Sequence, residues 1–250
     1  MDRYSKSVYA FLLYSAAGLF FPAAAAAGLE NRPLNTSEAA LLESGQFALA
    51  AGAKYLGQSG GDKEYSMVTD WEYGFLNRFE FDLELPFTHL KQTGAADSTG
   101  FGDMTAWLGC ELGKERNALP AMALALSWTT NTASPGRGLG GGENAYQGIL
   151  LLSKTFGKTS VHFNGSYTFA DNPIIGYNFA LKRAINDTLT LAAEVYEQKD
   201  QKASGNNTTD GLIGAIYALS PSTSLDLGIG RGFTNASPDL RITSGVSFLW

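Results

Sequence analysis

The sequence of 250 residues is poor in the side chains that most often carry chemistry or cross-links: it has one Cys, two His and eight Pro, and only 17% of its residues are charged. A lone Cys110 excludes an internal disulfide. His89 and His162, far apart from each other and from Cys110, give no metal-ligand spacing. After the first two dozen residues there is no apolar run near the ~20 residues that a membrane helix needs, which excludes a polytopic helical membrane protein. Positive charge is also short, with 18 Lys and Arg against 24 Asp and Glu and a net charge of −6. A nucleic-acid partner is therefore not expected, because phosphate calls for a basic face. What the chain does have is 29 Gly, 15 Phe, 11 Tyr and four Trp. So many aromatic side chains exclude a disordered chain.

Residues 1–27 divide into a short basic stretch with Arg3 and Lys6, an apolar run over 8–21 and a small-residue stretch over 23–27. That order is a secretory signal peptide, and the apolar run is too short to anchor the chain as a helix. The chain is thus expected to be exported. Asn35 with Glu38 three residues later reads as a capped helix start, predicting about two turns over 37–44 that end at Gly45. Residues 28–45 then form either a simple lead into the first strand or a plug.

From Gln46 onward the chain shows period two. Runs of about ten residues place apolar side chains at every second position, separated by Gly, Asn, Asp and Pro clusters. In the last run Leu240, Ile242, Val246, Phe248 and Trp250 share one face, and Arg241, Thr243, Gly245 and Ser247 share the other. Twelve such runs are predicted: 46–56, 65–75, 79–87, 102–112, 121–130, 145–156, 159–169, 174–182, 188–196, 209–219, 224–232 and 240–250. Their connections alternate between long and short, which with an even strand number describes an all-β, up-and-down, antiparallel transmembrane β-barrel over 46–250. A soluble β-sandwich or lipocalin-like barrel also alternates. Strand length decides between them, since membrane strands need ~9–11 residues and soluble strands average ~5–6. Aromatic residues gather at run ends, where interfacial girdles belong. These features predict a bacterial outer-membrane location, with membrane lipid as the surrounding partner.

Ordered short motifs add a family resemblance. They are Arg32-Pro33-Leu34-Asn35-Thr36-Ser37-Glu38-Ala39, Glu43-Ser44-Gly45-Gln46-Phe47, Glu72-Tyr73-Gly74, Phe81-Asp82-Leu83-Glu84-Leu85-Pro86-Phe87, Gly100-Phe101-Gly102-Asp103 and Gly228-Ile229-Gly230-Arg231-Gly232-Phe233-Thr234. Together they resemble the outer-membrane transporter family of the MetA-pathway of phenol degradation. Where that family usually has two acidic residues before the alanine, this chain has Ser37-Glu38. The resemblance implies a channel or transporter for small solutes, aromatic or hydrophobic compounds among them. The aromatic terminus Phe248-Leu249-Trp250 resembles the signal that many such proteins present to the outer-membrane assembly machinery.

With apolar faces toward lipid, the opposite faces turn Asp70, Glu72, Glu80, Asp82, Glu84, Asp103, Glu194 and Asp226 into the lumen. Lys54, His162, Asn164, Asn178, Lys182 and Arg241 join them. The odd-length loop Leu76-Asn77-Arg78 keeps the even-numbered acids of its two flanking strands on one face, with Glu72 opposite Asp82 or Glu84. Like charges across a strand pair are destabilising, so bases are expected to answer them. Barrel closure brings Lys54 and Arg241 to the outer half of that wall. Asp70, Glu72, Glu80, Asp82, Glu84, Asp226, Lys54 and Arg241 are therefore the selectivity candidates, as a cation-preferring constriction or as charges that brace a narrow lumen. The rival without transport is a structural or adhesive barrel acting through its loops. Catalysis has little support: His162 is followed two residues on by Asn164, and Ser166 lies one step further. The Gly157-Lys158-Thr159 turn has Leu152 where a phosphate loop needs its first glycine. No catalytic, cofactor or metal site is expected.

Overall fold

The computed structural model describes residues 32–250, so the signal peptide expected over 1–27 lies outside the described residues. Among those residues the chain forms thirteen strands in an up-and-down antiparallel order: β1 (Phe47–Gly57), β2 (Lys63–Phe75), β3 (Phe79–Lys91), β4 (Ser98–Phe101), β5 (Thr105–Gly113), β6 (Ala121–Thr129), β7 (Ala145–Phe156), β8 (Thr159–Phe169), β9 (Ile174–Ala184), β10 (Leu189–Asp200), β11 (Thr208–Ser220), β12 (Thr223–Gly232) and β13 (Leu240–Leu249). Every neighbour pair is hydrogen-bonded, β1 pairs with both β2 and β13, and β2 pairs with β3, so the sheet closes on itself, with the short β4 paired to β3 alone. The full-length strands run 9–13 residues, the length that crosses a bilayer at a tilt.

The thirteen strands make twelve staves, because the predicted continuous strand over 102–112 is broken. β4 and β5 both pair with β3, and their registers differ: Phe87 faces Phe101 while Glu84 faces Thr105. Three steps along β3 thus meet four along its partner. The cause lies at Pro86, which has no N–H to give to the ladder; its carbonyl accepts from Gly102 instead. The extra residue reverses the pattern of faces, so that Phe101 and Leu108 both point outward although one is odd-numbered and the other even.

The outer face is apolar. Leu126 is 67% exposed, Ile213 64% and Leu227 59%, which water would penalise and lipid does not. Aromatic pairs flank this belt: Phe47 with Trp250 at the end of the short turns, and Tyr55 with Tyr65, Phe87 with Phe101 and Trp128 with Tyr146 at the end of the long loops. The three-residue turn 76–78 places Leu76 and Asn77 at φ of 50° and 56°, the left-handed conformation that suits right-twisted hairpins. It fixes Glu72 opposite Asp82 and Asp70 opposite Glu84.

Residues 32–46 form no helix; they run as bends and turns inside the barrel. The expected helix over 37–44 loses because the wall takes the backbone donors that a helix would need. Glu194 accepts from the N–H groups of Asn35 and Thr36, Asn164 from Ser37, Ser153 from Ala39 and Glu80 from Leu42. Small wall residues make room for the segment's leucines. Leu41 packs with Ala39 against Ala121, Ala123, Ala125 and Leu151, and Leu34 sits among Ala180, Ala192 and Leu212. Each buried Leu contributes about 2 kcal/mol. Gly74 matters most for the approach, since a Cβ there would overlap the carbonyl oxygens of Leu42 and Glu43.

Candidate functional site

The strap of residues 32–46 follows the inner wall around almost the whole barrel. It touches β12 and β13 through Arg32, β10 through Asn35 and Thr36, β8 through Ser37, β7 through Ala39, β3 through Leu42 and β2 through Gly45. Its firmest hold is Glu194, which is 4% exposed and receives Asn35 N–H, Asn35 Nδ2–H, Thr36 N–H and Thr36 Oγ1–H at 2.8–3.0 Å. Four donors on one carboxylate satisfy a buried charge that would otherwise be costly. Arg32 makes the second hold: its Nε donates to Asp226 at 3.0 Å and its Nη2 to Thr243 and to the Ser244 carbonyl. The guanidinium lies where a Cβ on Gly52 would be. Glu38 is the third, with its carboxylate 2.7 Å from Lys182 Nζ.

Three cavities of the lumen border the strap. One, of ≈ 400 Å³, opens toward the long loops between Gln147, Asn164, Asn178, Tyr196, Asp210 and Arg241. A second, of ≈ 420 Å³, lies between the strap and the wall of β2 and β3, lined by Asp70, Glu80, Asp82 and Glu84. A third, of ≈ 490 Å³, opens at the turn end between Lys158, Ser160, Lys182 and Ser224. Asn35, Ser37, Lys54 and Arg241 belong to the walls of both the first and the second, and Glu38 to those of the second and third.

The sequence candidates fall into two groups. Asp70, Glu80, Asp82 and Glu84 share the acidic cavity, with Glu72 beside them, facing Asp82 and only 6% exposed. Asp226 stands apart, across the lumen on β12, bound to Arg32. Lys54 and Arg241 do border the acidic cavity, as barrel closure requires, yet neither is bonded to its carboxylates. Lys54 pairs with Glu64 at 3.0 Å, and Arg241 donates to Asn35 Oδ1 and to the Tyr196 hydroxyl. The expected answering bases thus answer other groups. Sequence reasoning passed over Arg32, Asn35 and Glu38 as lumen residues; the signal available was their polarity within a stretch too short to fold alone.

His162 meets Ser153 and Ser160, not Ser166. Its Nδ1 lies 2.9 Å from Ser153 Oγ and its Nε2 2.8 Å from Ser160 Oγ, with the Glu38 carboxylate at 3.7 Å. At 2% exposure it is inside the strap's anchorage, where Ser153 also accepts the Ala39 N–H. Among the described residues no three His, Cys, Asp or Glu side chains are placed to hold a metal ion.

Comparison with known proteins gives one family and one fold. The sequence profile described as "Putative MetA-pathway of phenol degradation" matches residues 31–250. No curated protein matches the chain. Among solved structures, an outer membrane channel from Pseudomonas putida F1 superposes with a TM-score of 0.70 at 15% identity, covering 84% of this chain and 97% of that one. The NanC porin gives 0.61 at 12% identity over 80% of this chain and 98% of its own. The KdgM porin gives 0.56 at 10% identity with the same coverage. At such identities the likeness is one of fold: a closed twelve-stave barrel of the kind that outer-membrane channels use.

Proposed function

The chain belongs to the family of the putative MetA-pathway of phenol degradation, and from that membership we propose that it is an outer-membrane channel through which small solutes pass passively. The observation that carries this reading is a series of three cavities along the strap, which share wall residues in sequence from the loop end to the turn end. Twelve staves lie between the eight that close over side chains and the sixteen or more that leave a water channel. In this barrel the strap takes up the difference and reduces a pore to a chain of small chambers.

Asp70, Glu72, Glu80, Asp82 and Glu84 make the middle chamber acidic, and Lys54 and Arg241 at its outer rim are engaged elsewhere. Field lines in such a confined, low-dielectric chamber favour cations. An amino-terminal signal directs the chain across the inner membrane, and the Phe248-Leu249-Trp250 end is read by the outer-membrane assembly machinery. Aromatic or hydrophobic solutes are the class that the family description suggests.

The test is single-channel recording of the protein, extracted from outer membranes, in planar bilayers under asymmetric salt. Discrete steps with a reversal potential displaced toward cations are expected. Replacing Glu72, Asp82 and Glu84 together by their amides should move that potential toward zero. A folded, inserted protein that gives no steps with or without residues 32–45 would overturn the channel reading in favour of a structural or adhesive barrel.

A further inference from the structure

The acidic chamber contains an excess of carboxylates that no ion pair among the described residues neutralises. Five carboxylates project from β2 and β3 into one region, in two directly opposed pairs, Asp70 with Glu84 and Glu72 with Asp82, and with Glu80 one step below. Opposed side chains on neighbouring strands stand only ~4.5–5.5 Å apart at Cβ, a spacing at which like charges repel. Each of the three basic groups around the chamber has a partner outside this set: Arg32 is held by Asp226, Lys54 by Glu64, and Arg241 by Asn35 and Tyr196. One hydrogen bond from the strap, Leu42 N–H to Glu80, reaches the cluster. Asp70 Oδ1, Glu72 Oε2 and Asp82 Oδ1 are buried and have no partner among the described residues. Glu72 is the telling case, since it is only 6% exposed and stands directly opposite Asp82, which lines the chamber. An acceptor so placed costs free energy until a donor meets it.

We propose that the chamber between the strap and β2–β3 is a binding site for an aliphatic diammonium ion, a short alkyl chain with a protonated amine at each end. The proposal rests on the channel reading, because the ligand must reach the lumen. Three features select this chemistry. The carboxylates do not converge as metal ligands do; they form rungs, two residues apart along each strand, hence ~6.6 Å from one opposed pair to the next. A ligand with charges separated by about one rung meets a carboxylate pair at each end. An ammonium group carries three donors and no acceptor, which suits the ionised carboxylates of β2 and β3, acceptors alone. Val68, Ala50 and the indole of Trp107 line the same cavity of ≈ 420 Å³ and offer apolar contact for the methylenes. Of the four Trp residues, Trp107 alone lines this chamber.

The experiment is titration of the detergent-folded, full-length protein with putrescine, followed by calorimetry and by tryptophan fluorescence, with butylamine and magnesium chloride as comparators. Saturable putrescine binding, at least tenfold tighter than butylamine and tenfold weaker in the Asp70→Asn/Asp82→Asn double variant, is expected. Putrescine should also reduce the current of single wild-type channels. Equal affinity for butylamine, tighter binding of magnesium, unchanged affinity in the double variant, or no saturable binding at all would each overturn the proposal. The comparison among wild-type ligands stands even where the variant does not fold. Channel steps that persist without putrescine binding separate the failure of this inference from the failure of the channel reading, which absence of steps would mark.

Discussion

Glu194→Gln is the most informative single change to the strap. The substitution keeps size and shape but replaces one acceptor oxygen by an amide NH₂, a donor, and removes the charge. In the native barrel both carboxylate oxygens are in use, Oε1 by Asn35 N–H and Nδ2–H and Oε2 by Thr36 N–H and Oγ1–H. A hydrogen bond to a charged group contributes about 1.5–3 kcal/mol, and a buried donor left without its acceptor costs a further 1–3 kcal/mol or so. Four bonds on one side chain do not add, and some donors will turn to water once the strap shifts. A net loss of about 3 kcal/mol in strap docking is therefore expected, which raises the population of the undocked strap on the order of a hundredfold. Amide hydrogen exchange in detergent reads this directly. Exchange over residues 34–42 should accelerate by about that factor, while the β10 ladder to β9 and β11 keeps its protection. Single-channel records of the same variant should spend more time at a higher conductance. Protection of 34–42 identical to wild type would refute the reasoning, because it would mean that the Glu194 contacts do not hold the strap.

Gly74→Ala should act on the same element by collision, since its Cβ would overlap the carbonyl oxygens of Leu42 and Glu43; faster proteolysis of the strap in an intact barrel is expected, and resistance equal to wild type would count against a docked strap. Asp103→Ala removes the acceptor of the Thr132, Ala133 and Gly141 N–H groups, a loss of about 1 kcal/mol per bond. It should expose the 131–143 loop to protease without changing the heat-modifiable electrophoretic shift of the barrel. Deleting Trp250 removes two backbone hydrogen bonds to Phe47 and the edge-on contact of their rings at 4.9 Å. The barrel should then assemble slowly into outer membranes, measured as loss of the folded, faster-migrating band; undiminished assembly would refute a role for this seam.

Sequence alone determined the barrel. Period-two alternation, strand length and the rhythm of long and short connections arise from a wall with lipid on one side and polar groups on the other, and that constraint is written residue by residue. It also put Asp70, Glu72, Asp82 and Glu84 on one face through the odd-length turn 76–78, with Glu72 opposite Asp82 or Glu84; the structure sets it opposite Asp82. The break at Gly102 to Met104 escaped because one proline, Pro86, acted on a strand some sixteen residues later through a ladder bond that the sequence does not display. The path of residues 32–46 was decided by the tertiary structure. Asn35 and Glu38 carry a local helix signal, which loses to acceptors on β10, β8, β7 and β3 that come together only when the barrel closes. The tertiary structure likewise decided that Lys54 serves Glu64, across the β1–β2 hairpin, and Arg241 serves Asn35, neither being bonded to Asp70, Glu72, Glu80, Asp82 or Glu84. Alternation is a local property of the backbone, legible from neighbours two apart; which lumen groups pair across the barrel depends on positions up to two hundred residues apart, as Arg32 and Asp226 show.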